Sequence, residues 1–243
     1  MYVLCCDCPI RTLPLFRQFS DGELQYVTGA KSGERRVAAR ENIVHAGGNG
    51  ELMYTLFEGW AFRYKTISPA TRQIFDFLLP GDFIGLQSPL TGRVRHSVSA
   101  LTDVTVCQIQ AQPVRGLFEF QPALGAALVQ TLLLDEDRAD RRLLLLGRQR
   151  PTQRLAYLML DLADRLRLRR LGTEDCCPFP LTYDQMADAL GLSRAQLGRS
   201  LAEVRDRRWA EIANGELTIL AADEMRAFAA YESARSDELR AVI

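Results

Sequence analysis

Lysine is nearly missing from this chain: Lys31 and Lys65 are the only two, so almost all of the 30 basic side chains are arginine. Histidine is as scarce, and His45 and His96 sit in none of the triad, metal-ligand or phosphate-loop spacings that catalysis requires. His45, between Val44 and Ala46, reads as a strand residue, and the chain is not expected to be an enzyme. Long apolar runs are missing too. Nothing approaches the roughly 20 residues of a membrane span, and Met1-Tyr2-Val3-Leu4 lacks the basic start and apolar core of a secretory signal. The expectation is a cytoplasmic protein with no membrane partner. Net charge is absent as well, 30 acidic residues balancing 30 basic ones. That neutrality leaves a nucleic-acid partner open, because local charge decides: Arg138 to Arg170 holds ten arginines against Asp140, Asp161 and Asp164. A chain-wide arginine bias fits a GC-rich genome equally well, so it is credited to no single site.

Six cysteines are present, clustered as Cys5, Cys6 and Cys8, then Cys107, then Cys176 and Cys177. In a reducing compartment such clusters point to thiol or metal chemistry rather than to a disulfide framework. The 243 residues suffice for one large domain or two small ones.

The N-terminal half changes character along its length. After an irregular apolar segment through Pro14-Leu15-Phe16, Asp21 to Gly29 reads as a short helix capped by Ser20, with Leu24 and Val27 turned inward. From Arg35 to Ile109 the pattern is one of short strands, RRVAA, NIVHA, LMYTLFEG, AFRYKTI, RQIFDFLL, HSVSALTD and VTVCQI. Gly47-Gly48, Gly59, Ser68-Pro69, Pro80-Gly81-Asp82 and Thr91-Gly92 separate them. Such spacing predicts an antiparallel barrel or roll. Pro113 to Arg148 reads as helical, with a long helix starting near Pro122 and running to Gly147. A heptad-like seam passes through Gly125, Leu128, Leu132, Asp135, Ala139, Arg142 and Leu146, apolar at its ends and charged in its middle. A dimer helix and a solvated charged face are equally compatible with it.

Arg150-Pro151 breaks that helix. A new one from Thr152 to Arg170 carries Leu155, Leu158, Met159, Leu162 and Leu166 at helical spacing. Gly172 to Pro178 reads as a loop, and Phe179 to Thr182 as a short strand. Tyr183–Ala202 then holds the most informative pattern in the chain. Ala187 allows two helices to approach, Gly191 supplies backbone freedom for a tight turn, and Leu197 closes the core between them, with Met186, Leu190 and Leu192 in the intervening places. Ser193 caps the second helix, whose first turn, Arg194-Ala195-Gln196, offers polar side chains where such a helix meets base edges in a major groove. Two strand-like runs flank Asn214-Gly215, the strongest short-range hairpin signal. Helix-turn-helix plus hairpin predicts a winged helix, and Asp223 to Ala241 a C-terminal helix.

A roll, a long helix and a winged helix-turn-helix, in that order, resemble the Crp/Fnr family of bacterial transcription regulators over nearly the whole chain. Gly47, Gly59, Gly81 and Gly85 stand where that family turns, Pro80–Gly85 is similar to its signature loop, and Ser193-Arg194-x-x-x-Gly198-Arg199 matches its recognition helix. Ala195 departs from it, standing where many members carry a glutamate that accepts from cytosine. The resemblance implies an α+β fold: sensor roll with the cysteine segment over residues 1–121, dimerisation helix 122–149, winged helix 150–222, helical tail 223–243. It further implies a homodimer on pseudo-palindromic double-stranded DNA, contacting RNA polymerase if it activates.

Site residues follow. Arg194 and Arg199 are the expected guanine or phosphate contacts and Gln196 the adenine contact, with Ser193 beside them. Thr182, Tyr183 and Asn214 are expected to face phosphates. Cyclic AMP is disfavoured, since Leu86-Gln87 follow Gly85 where a glutamate binds ribose, and His96-Ser97 replace the Arg-Ser pair for the cyclic phosphate. Arg93 and Arg95 are the remaining sources of that charge. Cys5, Cys8 and Cys107 resemble three of the four iron–sulfur ligands of the oxygen-sensing branch, and the fourth position is Pro14. Thiol redox sensing at Cys5, Cys6 and Cys8 and the absence of any cysteine function are the other readings. A small-molecule or redox-sensing module without DNA binding is the alternative to a regulator.

Overall fold

The computed structural model describes residues 3–68 and 71–233. Residues up to Leu133 form one compact unit and residues from Leu134 another.

In the first unit, Ser20 caps α1 (Asp21–Ala30) through a reciprocal capping box with Glu23. Among the described residues eight strands follow, β1 (Lys31–Val37), β2 (Asn42–Val44), β3 (Leu52–Glu58), β4 (Ala61–Ser68), β5 (Thr71–Leu78), β6 (Phe83–Ile84), β7 (Ser97–Ala100) and β8 (Val104–Gln110), with the one-turn helix α2 (Ser88–Thr91) between β6 and β7. They form two antiparallel four-stranded sheets, ordered β1-β8-β3-β6 and β2-β7-β4-β5. Leu56, Ala61, Val98, Ala100 and Val106 fill the core with no exposed surface. Because side chains alternate along a strand, Val104 and Val106 point into this core while Cys107 and Ile109 stand on the opposite face of β8. That opposite face, with Met53, receives α3 (Ala111–Arg115), α4 (Leu117–Phe120) and the start of α5 (Pro122–Arg148).

Leu124 and Leu128 of α5 are buried against Met53, Leu86, Val114 and Leu117. Gly125 is buried as well, and a β-carbon there would meet the Phe118 ring at 2.9 Å. The start of the expected heptad seam is thus used inside the chain rather than facing outward. The large apolar residues of α5 left exposed are Val129, Leu133, Leu143 and Leu144.

In the second unit, α6 (Pro151–Leu168) buries Leu155, Leu162 and Leu166 completely. β9 (Cys176–Pro178), α7 (Tyr183–Leu190), α8 (Arg194–Asp206), β10 (Ala210–Ala213) and β11 (Glu216–Ile219) complete a winged helix with a β10-β11-β9 sheet. The strand expected at Phe179–Thr182 is displaced to Cys176–Pro178, where Cys177 pairs with Leu217. Pro180 has no N–H to offer a ladder, and Thr182 is committed to capping α7. Cys176 and Cys177, expected in a loop, are strand residues, and Cys177 is buried. The tail helix is shorter than expected, α9 (Ala222–Ala229), ended by Ala230 in the left-handed region. It docks on α6: Gln149 and Gln153 donate to the carbonyls of Ala229 and Phe228, and Asp164 accepts from the Tyr231 hydroxyl at 2.9 Å. The rest of the expected tail helix, from residue 234 on, lies outside the described residues.

Gly59 joins β3 to β4 with φ +85, and a β-carbon there would lie 2.2 Å from the Asp103 carbonyl oxygen. Strain and overlap with backbone add, so Gly59→Ala should destabilise the roll by about 3 kcal/mol. Denaturant unfolding followed by Trp60 fluorescence measures it, and an unchanged midpoint would contradict the turn geometry.

Candidate nucleic-acid interface and sensor cavity

Two helix N-termini build the exposed face of the winged unit. Thr182 Oγ1 accepts the Gln185 amide at 3.3 Å, and Gln185 Oε1 accepts the Thr182 amide at 2.8 Å. Gly191, at φ +61, ends α7, and its left-handed conformation lets the chain turn directly into the second capping box. There Ser193 Oγ accepts from the Gln196 amide, and Gln196 Oε1 accepts from the Ser193 amide at 2.9 Å. Leu197 is wholly buried beneath this turn and Met186 nearly so.

The caps change what the first turn of α8 presents. The Gln196 carboxamide is folded back onto Ser193, so the bidentate adenine contact expected of it requires the cap to open. Arg194 is not free either: its Nε and Nη2 donate to Asp184 Oδ1 and Oδ2, both at 2.6 Å. Asp184 lies ten residues upstream on α7 and was not singled out by the sequence pattern. The acid at the second position of one helix and the arginine at the first position of the next were the available signal. Asp184 raises the Arg194 pKa, so the guanidinium stays charged. The pair occupies the Nε edge of the guanidinium and leaves Nη1 for another acceptor. Arg199 is exposed and has no ion pair or hydrogen bond among the described residues. Tyr183 is exposed beside Asp184. Asn214 is exposed at the wing tip, and both it (φ 54) and Gly215 (φ 77) adopt the left-handed conformation that a two-residue hairpin needs. The structure therefore brings Thr182, Tyr183, Ser193, Arg194 and Gln196 together and places Asn214 on a separate wing.

The arginine-rich stretch 138–170 contributes less free charge than its composition implies. Arg138, Arg141 and Arg167 pair with Asp135, Asp137 and Asp164, and Arg165 and Arg169 are buried.

In the first unit, Cys5, Cys8 and Cys107 line one cavity of about 130 Å³, together with Lys31, Arg11 and an otherwise apolar wall. Cys6 is exposed. This donor set does not fit an iron–sulfur cluster. Burial pushes the Cys107 thiol up to about 11, against the smaller opposing pull of Lys31. The fourth position, Pro14, has no donor atom, and among the described residues no three His, Cys, Asp or Glu side chains are grouped closely enough to hold a metal ion. At the positions corresponding to a cyclic-phosphate site, His96 is buried, and burial, reinforced by Arg63 and Lys65, lowers its pKa to about 4. It is neutral near pH 7 and supplies no cation. Arg93 and Arg95 are exposed.

Comparison with known proteins agrees with this architecture. Residues 34–119 match the cyclic nucleotide-binding domain, and residues 153–228 match the Crp-like helix-turn-helix domain. The nitrogen fixation regulation protein FixK of Bradyrhizobium diazoefficiens is 30% identical over 232 residues, covering 93% of this chain and 94% of that protein. The chain belongs to the Crp/Fnr family. The transcriptional activator protein FnrL of Cereibacter sphaeroides is 29% identical, covering 83% of this chain and 81% of that protein. The FixK2 structure from Bradyrhizobium japonicum superposes with a TM-score of 0.72 at 23% identity, over 80% of this chain and 96% of that one, which supports the fold. This Crp/Fnr member is a DNA-binding transcription regulator and not an enzyme. No helix among the described residues is long and apolar enough to cross a membrane.

Thiol reactivity follows the thiolate fraction and exposure. Cys107 and Cys177, both pushed up to about 11 by burial, stay protonated until the pH approaches that value, while Cys6 is open to solvent. Iodoacetamide at pH 7.5, read by peptide mass spectrometry, should label Cys6 first and Cys107 and Cys177 last. Labelling of Cys107 ahead of Cys6 would contradict the burial described.

Proposed function

We propose that this regulator acts as a homodimer whose two α8 helices enter successive major grooves of a pseudo-palindromic site, under control of a signal sensed in residues 1–121. The observation that carries this reading is the first turn of α8, where a charged arginine is held on an exposed face by a carboxylate from the neighbouring helix. Half-sites spaced about one helical turn apart follow from two-fold symmetry. Arg194 reads guanine through its free Nη1 edge while Asp184 fixes the other edge. Arg199 contacts guanine or phosphate, and Thr182, Tyr183, Ser193 and Asn214 position the phosphates. Gln196 reads adenine only with its cap released. No carboxylate stands at Ala195 to accept from cytosine, so the half-site differs from that of members carrying glutamate there.

Residues 122–149 form the dimerisation helix in this reading, residues 150–222 the reader and residues 223–243 a tail. The exposed apolar residues Val129 and Leu133, and Leu143 and Leu144, support self-association along α5. Relatives named as activators favour an activating role, with a contact to RNA polymerase.

Band-shift titrations test the assignment. Arg194→Ala and Arg199→Ala should each weaken operator binding by roughly 10- to 100-fold. Asp184→Asn should lower discrimination among single-base operator variants while leaving low-salt binding to random duplex intact. Unchanged operator affinity in both arginine variants would remove these residues from the interface. A chain that binds no duplex even at low salt would favour a sensor module without DNA function.

A further inference from the structure

Among the described residues, Arg11 is a cavity-lining cation that no carboxylate contacts directly, Glu23 acting on it only at longer range. It lines the 130 Å³ cavity beneath the N-terminal segment, and its guanidinium lies 3.5 Å over the Phe19 ring. Among the described residues it has no ion pair or hydrogen bond. The nearby carboxylate of Glu23 is taken by Arg17 at 2.5 Å. Burial lowers the Arg11 pKa, and the thiols of Cys5 and Cys8 oppose this only in part. The other cation is satisfied: Lys31 donates to Glu34 Oε1 at 2.7 Å and to the Val3 carbonyl at 2.6 Å. A half-buried guanidinium of this kind is stabilised by an anion, and a bidentate carboxylate matches its fork.

The rest of the cavity wall is apolar. Val27, Ala30, Met53, Phe83, Ile109 and Leu128 contribute from α1, β3, β6, β8 and α5. A cavity of about 150 Å³ takes a benzene ring, so one of about 130 Å³ has room for a single ring or a short alkyl chain and little more. Leu124 and Leu128 in the wall belong to the long helix, so an occupant would press directly on it.

From this unmatched cation beside an apolar cavity of ring size, we propose that the sensor unit binds a small apolar monocarboxylate, its acid on Arg11 and its hydrocarbon against Met53, Ile109 and Leu128. This rests on reading the N-terminal unit as the sensor of a DNA-binding regulator, and it names the chemistry that unit would sense.

The test is calorimetric titration of the full chain, kept reduced, with benzoate, pentanoate, acetate, benzyl alcohol and pentan-1-ol, and with duplex binding measured on the same samples. Benzoate or pentanoate should bind one per chain and acetate should not; binding of one acid and not the other identifies a ring or an acyl chain. Each alcohol should bind roughly 10-fold more weakly than its acid. Arg11→Gln should bring the acids down to the level of the alcohols, and Ala30→Leu, which fills the cavity without touching the cation, should abolish binding of both. The proposal is overturned if neither acid binds to a chain that still binds duplex, if acids and alcohols bind equally, or if Arg11→Gln changes nothing in a folded protein. Loss of duplex binding with acid binding intact would overturn the regulator reading and not the cavity.

Discussion

Leu124 and Leu128 of the long helix are sunk into the outer face of the roll, against Met53, Leu86, Val114 and Leu117, and the sensing role proposed for this unit depends on that packing. It exists because strand alternation sends Val104 and Val106 inward and leaves Ile109 and Cys107 on the far face, where the helix lands. Burial of apolar surface at roughly 25 cal/mol per Å² makes such a contact stable enough to fix the helix start and sensitive to anything that alters its wall. The cavity lined by Cys107, Ile109, Leu124 and Leu128 is therefore placed where occupancy changes the support of the helix itself.

At the other end of the chain, geometry is set by two capping boxes and one left-handed glycine. Thr182 with Gln185 starts α7, Gly191 turns the chain, and Ser193 with Gln196 starts α8. The turn brings Asp184 within bidentate reach of Arg194. An exposed ion pair contributes little to stability; its consequence is orientation, because an arginine held along one edge presents the other edge in a defined plane. With Ala195 in place of a carboxylate, that plane is the main determinant the first turn still offers.

Much of this was legible in the sequence. Glycine and proline punctuation marks the strands of the roll, and the Ala187, Gly191 and Leu197 spacing marks the helix-turn-helix, because each position is required by local geometry. Features that depend on pairing across the fold were not. The wing strand was expected at Phe179–Thr182 and lies at Cys176–Pro178, because its partner β11 sets the register and Pro180 cannot donate. The heptad through Gly125 and Leu128 leaves a dimer helix and a solvated face equally open, and those two residues serve the chain's own core. Asp184 was missed because its partner is ten residues away across a turn. For the cysteines, the resemblance offers a cluster beside thiol redox sensing and no function at all, and the proline at the fourth position opposes the cluster.

The central claim is that two copies of α8, each led by an Asp184-held Arg194, read DNA symmetrically. Selection of bound sequences from a random duplex pool tests it most directly. The account predicts enrichment of two-fold symmetric sites, with half-site centres about 10 base pairs apart and a fixed guanine in each half. Enrichment of unsymmetric single sites, or of sites with no invariant guanine, would contradict it.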